Sequence, residues 1–190
     1  MLKGARVTLR ALTKADLPTI LAYSQDMEVE LLSGGNPPQP WTQEAWEKWY
    51  DEHLGKEQTD SVNFGIEAEG KLIGTCGLWR YSQTAQRCDL GISIGDREYW
   101  GRGYGREAVG LMVEYAFRIR NFHKVALTTS SNNERAIRCY LAAGFIEEGR
   151  LRQHHWVNGA YVDEVAMGIL RDEWERRRAE RSPANHEPTV

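Results

Sequence analysis

The stretch Trp100-Gly101-Arg102-Gly103-Tyr104-Gly105-Arg106 constrains this chain more than any other. Three glycines alternate with larger residues, so the backbone can turn tightly through conformations that a Cβ disfavours. An apolar run, Leu90-Gly91-Ile92-Ser93-Ile94, precedes it, and an amphipathic segment, residues 107–117, follows. That order reads as strand, glycine-rich turn and helix. The N–H groups of a helix's first turn lack internal partners, and the helix dipole adds partial positive charge there. Bare backbone at such a point suits a phosphate or pyrophosphate.

The spacing excludes two common phosphate loops. It is not GxxxxGK[ST], the loop that holds ATP or GTP. Nor does it complete GxGxxG, because Arg106-Glu107-Ala108 follows Gly105, and no acidic residue ends a second strand at the dinucleotide-binding distance. Taken alone, a GxGxG run is equally a tight turn with no ligand, so the neighbouring segments decide.

Residues 124–129, Lys-Val-Ala-Leu-Thr-Thr, have the composition of a buried strand. Asn133 follows as a good N-cap, and Ala136, Ile137, Tyr140 and Leu141 recur at helical spacing. Gly144 stands as a C-cap glycine before apolar Phe145, which opens the next strand. This strand–Asn–helix–Gly-Phe unit, placed after the strand–glycine loop–helix unit, resembles the GNAT superfamily of N-acetyltransferases. Gly103 and Gly105 match the two small positions of that family's [Q/R]-x-x-G-x-[G/A] pyrophosphate motif, while Trp100 stands where Gln or Arg is usual. An aromatic residue there is similar to the RimJ/RimL-type branch. So is the opening Ala5-Arg6-Val7-Thr8-Leu9-Arg10-Ala11-Leu12, followed by Asp16-Leu17 and a turn at residues 24–29. The likeness runs from about Val7 to about Ile169.

The resemblance implies one mixed α/β (α+β) domain over residues 1–170, a largely antiparallel, splayed central sheet flanked by helices, with a coenzyme A cleft at its centre. Acetyl-CoA is the cosubstrate it implies. The pantetheine arm would pair with strand backbone at Ile92, Ser93 and Ile94, as a peptide adds to a sheet edge. The pyrophosphate would meet the loop of Trp100, Gly101, Arg102, Gly103, Tyr104, Gly105 and Arg106. Asn133 would hydrogen-bond the pantetheine or hold the strands apart.

Composition agrees with that reading. A chain of 190 residues is suited to one domain with a sizeable core, and its net charge of -3 offers no basic field for nucleic acid. No apolar run approaches the length of a transmembrane helix, and Met1-Leu2-Lys3-Gly4-Ala5-Arg6 has no signal-peptide core, so the expected location is the cytoplasm. Cys76, Cys88 and Cys139 are an odd set without CxxC spacing, as expected of reduced thiols. His154 and His155 are adjacent with no Cys pair nearby, so no metal is expected. The expected partners are a small-molecule amine or a protein N-terminus, with no nucleic acid and no membrane, and a homodimer as the assembly.

The remaining pattern holds no repeat and no domain-dividing linker. Residues 37–40, rich in Pro, end a Gly-rich loop, and Thr42 then reads as the N-cap of a helix over 43–54. Residues 62–68 and 71–79 read as strands joined by Glu69-Gly70, and 87–94 as the strand that enters the glycine loop. Residues 145–152 and 160–169 form another antiparallel pair around the hairpin dipeptide Asn158-Gly159. Residues 173–181 read as a charged helical end whose Arg176-Arg177-Arg178 run is a solvated face, and 182–190 as a flexible tail.

Acyl transfer from a thioester to an amine needs orientation of the two reactants and donors facing the developing oxyanion, not a nucleophilic residue. Cys139 lies inside a helix rather than at its electropositive start, and no Gly-x-Ser-x-Gly elbow occurs. Tyr140, seven residues after Asn133, falls on roughly the same helix face and is the candidate general acid for the departing thiolate. It equally reads as an aromatic that packs the helix onto the sheet. A tyrosine here is similar to the small-amine acetyltransferases, spermidine N-acetyltransferases among them, and that resemblance implies the acid role.

Asp89 is the candidate base, acting through water, and reads alternatively as a strand-edge charge. Glu67, Glu69, and one of His154 and His155 are weaker candidates. Trp46, Trp49 and Tyr50 form an i, i+3, i+4 stripe that is core or, where exposed, an acceptor wall, and Asp51, Glu52, Glu57 and Asp60 add negative charge suited to a cationic amine. The expected acceptor is the primary amine of a small molecule. The alternatives are an N-terminal protein acetyltransferase of RimJ/RimL type and, outside enzymes, an acyl-CoA-binding sensor.

Overall fold

The computed structural model describes residues 1–33, 39–54 and 59–181. They form an eight-stranded mixed sheet in the order β1-β2-β3-β4-β5-β6-β8-β7. The short strands β1 (Leu2–Lys3) and β2 (Thr8–Arg10) make one edge. Helices α1 (Leu17–Ser24), α2 (Met27–Ser33) and α3 (Gln43–His53) follow. The centre is β3 (Val62–Ala68), β4 (Lys71–Ser82) and β5 (Arg87–Ile94). Helix α4 (Tyr104–Glu114), prolonged by a π-helical turn over Tyr115–Ile119, crosses to β6 (Lys124–Ser130). Helix α5 (Glu134–Ala143), the hairpin β7 (Ile146–Val157) and β8 (Ala160–Leu170), and α6 (Arg171–Arg181) complete the chain.

All neighbouring strands are antiparallel except β5 and β6, which run parallel because α4 carries the chain across one sheet face between them. The core lies under that crossover. Val109, Met112, Val113, Ala116 and Phe117 pack against Leu9, Ile66, Ile73, Leu78, Cys88 and Leu90. Each such fully buried aliphatic side chain contributes about 1.5–3 kcal/mol. Even-numbered Cys88 and Leu90 face this core, so Arg87, Asp89 and Gly91 face the other side of the sheet.

Several boundaries differ from the sequence-based ranges. Residues 24–29 are not only a turn: α2 begins at Met27, where Asp26 Oδ1 accepts from the N–H of Glu28. Helix α4 starts at Tyr104 rather than 107, because Gly103, at φ 90°, ends the loop directly before it. Strand β4 runs past Trp79 to Ser82 through a bulge at which Arg80 takes φ 53°. Strand β7 extends to Val157, and the Asn158-Gly159 turn has both residues at positive φ, as a tight hairpin requires. Helix α6 begins at Arg171, whose guanidinium donates to Phe122 O, and Trp174 packs on Phe117.

Candidate active site

Strands β5 and β6 stay paired only from Arg87–Lys124 to Asp89–Ala126. Beyond that point β5 continues with β4 as far as Gly74–Ile94, and β6 with β8 as far as Ser130–Glu164, so the two strands part. The gap opens into a cleft of about 1340 Å³ that passes from the α4 side to the opposite face of the sheet. Gln86 O accepts from the N–H groups of His123 and Lys124, so even-numbered peptide groups of β5 point toward β6. Six residues beyond Gln86, and so with the same parity, the peptide of Ile92 faces the gap. Ile94 O faces it too, but the Trp100 indole Nε1–H donates to it at 2.7 Å. Ser93 has the other parity and turns its peptide toward β4. Of the three residues expected to pair with pantetheine, Ile92 presents its whole peptide to the gap, Ile94 only its N–H, and Ser93 neither group.

The glycine loop bends around the mouth of this gap. Gly101 and Gly103 take φ 70° and 90°, which few other residues would hold. Gly103 is the N-cap of α4 and has no side chain to cap with, so the first-turn N–H groups of Tyr104, Gly105 and Arg106 have no partner among the described residues. Arg6 Nη1 donates to Arg102 O at 2.8 Å and steadies the loop. Gly105 has ordinary helical backbone. A Cβ there would stand 3.7 Å from Ile94 and 4.0 Å from Cys139, within the cleft, so its bareness keeps space open rather than relieving strain. Tyr104 contributes backbone alone: its ring packs on Tyr99, and its hydroxyl donates to Glu69 Oε1.

Helix α5 forms the opposite wall. Asn133 caps it, with Oδ1 accepting from Ala136 N–H at 3.1 Å, while Nδ2 donates to Leu32 O at 2.9 Å. These two bonds tie α2 to α5 and use one Nδ2 hydrogen and one Oδ1 lone pair, and the residue also lines the cleft. Tyr140 lies two turns along. Its ring is buried against Phe145, and its hydroxyl, which lines the cleft, makes no hydrogen bond with the described residues. Burial pushes the Tyr140 phenol pKa up, so it holds its proton at neutral pH. Burial likewise pushes the Cys139 thiol up to about 11, which removes it as a nucleophile.

The far end of the cleft holds Asp89. Arg87 Nη2 is 2.6 Å from its Oδ1, and Arg80 Nη1 is 3.5 Å from its Oδ2. Trp79 covers this face, its ring resting on Gly91, where a Cβ would collide at 1.9 Å. The weaker candidates lie elsewhere. Glu67 is held by Arg10 at 2.6 Å and Glu69 by Tyr104. His155 Nε2 lies 3.0 Å from Glu164, and neither His154 nor His155 lines the cleft. The α3 stripe packs within itself, Trp46 edge-to-face with Trp49 and Trp49 stacked on His53, and lies beside α1 rather than along the cleft. Asp51 and Glu52 pair with Lys14 and Lys48.

Some of the cleft escapes sequence reasoning. The guanidinium of Arg135, on α5, lies 3.4 Å from the Trp100 ring centroid, so a cation sits beside the residue that stands where Gln or Arg is usual. Lys124 and Glu148, 2.7 Å apart, line the far end. Only the first of these had a signal, the Arg two residues past a conspicuous Asn, and nothing in the sequence says that it meets Trp100.

A parallel pair that splays over a bare helix N-terminus, with a buried phenol across the gap, defines an acyl-CoA-dependent transferase. Ile92, the open α4 amides and the clear space at Gly105 fit the extended, phosphate-bearing coenzyme. The chain belongs to the GNAT acetyltransferase family, whose domain matches residues 6–146. It is 29% identical to the spermidine N(1)-acetyltransferase of Vibrio cholerae over 92% of this chain and 98% of that protein. It is also 29% identical to the Escherichia coli K12 enzyme of the same name, over 70% of this chain and 74% of that one. The crystal structure of the Vibrio cholerae spermidine N-acetyltransferase in complex with CoA and spermine superposes with a TM-score of 0.81 at 27% identity, covering 90% of this chain and 99% of that one. The chain is therefore an acetyl-CoA-dependent N-acetyltransferase.

Proposed function

We propose that the protein acetylates the primary amine of a small molecule by direct transfer, with Tyr140 as the proton donor. The observation that carries this reading is Tyr140, which lines the cleft between the parted strands and whose hydroxyl has no hydrogen-bond partner among the described residues; burial favours its protonated form. Bound acetyl-CoA supplies the thioester that the amine attacks and the sulfur that departs. The exchange forms one N–C bond and breaks one C–S bond; the amine gives up a proton and the sulfur gains one. Tyr140 Oη provides the proton at sulfur. Asp89 Oδ2, loosely met by Arg80 at 3.5 Å, is the oxygen left to take the amine's proton through water. The amides of Tyr104, Gly105 and Arg106, with Arg102 and Arg106 nearby, hold the phosphates, and Ile92 holds the arm in register. Trp100 and Asn133 act as positioning residues, the one by capping Ile94 O and the other by holding α2 to α5.

The relatives named for spermidine acetylation support a small amine as the acceptor class. The aromatic at Trp100 still groups the chain, in our reading, with the RimJ/RimL-type branch. The experiment is thiol release from acetyl-CoA with small amines set against peptides bearing free N-termini, scored by kcat/KM. Preference for small amines is expected. A strong preference for peptides would replace this reading with N-terminal protein acetylation, and acetyl-CoA binding without turnover on any amine would make the protein a sensor.

A further inference from the structure

The end of the cleft away from the glycine loop carries the wrong charge for a polycation. Arg87 and Lys124 are cross-strand partners just before β5 and β6 separate, and Arg80 reaches the same place from the β4 bulge. These cations line the cleft beside two carboxylates, Asp89 and Glu148. Each carboxylate already holds a cation, Asp89 with Arg87 at 2.6 Å and Glu148 with Lys124 at 2.7 Å. Arg80 is the surplus. Among the described residues its one carboxylate neighbour is 3.5 Å away, and its side chain is 79% exposed, so its guanidinium is available to a ligand. Among the described residues at this end, three cations against two carboxylates leave one net positive charge, and each carboxylate already has a cation within 2.7 Å. The acids of α3 do not compensate, since Asp51 and Glu52 are paired outside the cleft.

We propose that the acceptor is a primary amine that also carries an anionic group, a carboxylate or a phosphate, and that Arg80, assisted by Arg87, receives that group. This rests on the N-acetyltransferase reading above. The planar guanidinium fork matches either oxyanion through paired, charge-assisted hydrogen bonds. The position also sets a length. The Arg87 and Arg80 guanidinium groups lie 2.6 and 3.5 Å from Asp89, the proposed base, so an anion received there sits close to the reacting amine. Amine and anion are thus separated by a short carbon chain, not by the span of an extended polyamine. Like-charge contact with Arg80 acts against a polyamine whose chain crosses the same ground.

The test measures thiol release from acetyl-CoA with primary amines of matched chain length: an ω-amino carboxylate, an aminoalkyl phosphate, a neutral amino alcohol, and spermidine. At least one anionic amine should exceed the neutral alcohol in kcat/KM by about 10-fold or more, the weight of a charge-assisted contact, with spermidine below both. The two anionic arms identify which oxyanion is read. Arg80→Gln should erase most of that preference and Arg80→Glu should reverse it, with KM for acetyl-CoA unchanged as the control for folding. Equal rates for anionic and neutral amines, a preference for spermidine, or a preference that survives Arg80→Glu would each overturn the inference while leaving N-acetyl transfer in place. No thiol release with any primary amine would overturn both.

Discussion

At residue 140 a phenol does two jobs with two parts of one side chain: the ring packs on Phe145 and the hydroxyl faces the cleft. Tyr140→Phe separates them. Because the hydroxyl has no partner in the described structure, stability should change by less than about 1 kcal/mol, while turnover falls by about 10²-fold or more. Single-turnover rates beside urea melts check this, and a chemical step that proceeds at the original rate would leave Tyr140 as packing alone. Gly105 gives the cleaner probe of the cofactor loop. Gly103 sits at φ 90°, so any side chain there strains the backbone whatever the ligand does. Gly105 is unstrained, and a side chain added there would enter only the space between Ile94 and Cys139. Gly105→Val should therefore weaken acetyl-CoA binding by about 10-fold or more, the effect of roughly 1.4 kcal/mol, with the melting temperature nearly unchanged. Calorimetry showing unaltered affinity would take this loop out of the site.

At the scale of elements, Asn133 illustrates how far sequence reasoning reaches. Its role as N-cap was legible, because Asn before an amphipathic run satisfies first-turn amides locally. Its second bond, to Leu32 O, was not, since it joins segments 101 residues apart. Asn133→Ala should cost about 0.5–2 kcal/mol through the lost cap. Asn133→Asp keeps a capping oxygen but removes the donor to Leu32, so it should retain most of the helix stability. A urea midpoint as low for Asp as for Ala would show that the tie to α2, not the cap, carries the energy. The same division runs through the fold. Strands Val62–Ala68 and Arg87–Ile94 coincide with their sequence-based ranges because Gly turns and polar residues bound them. The extension of β4 beyond Trp79 was hidden, because it depends on Arg80 adopting positive φ at a bulge. Within the site, the glycine loop, Asn133 and Tyr140 announce themselves by local pattern. The Arg80–Asp89–Arg87 cluster and the Trp100–Arg135 stack arise only when strands and helices from separate stretches are brought together.

At the scale of the whole molecule, one ion cluster pins the N-terminal helices to the sheet edge. Arg10, on β2, donates to both oxygens of Asp16 and to Glu67 on β3, and Asp16 also accepts from the N–H and hydroxyl of Thr13. The Arg10 guanidinium, followed by the Thr13 donors, lowers Asp16 from its ordinary 3.8 to about 2, against an opposing effect of burial. The sign follows from linkage. A carboxylate with a depressed pKa in the folded chain adds stability that is fully present above about pH 4–5 and is lost as pH falls through 4 toward 2. Part of the acid sensitivity of folding should therefore belong to this single side chain. Asp16→Asn cannot ionise, so the variant should be less stable than the parent at neutral pH, and the gap between them should narrow as pH drops over that window. Urea melts at a series of pH values measure the gap directly. A difference that stayed constant from neutral pH down to the acid limit would mean that Asp16 contributes by shape and hydrogen bonding rather than by its charge, and the acid sensitivity would then have to come from other carboxylates.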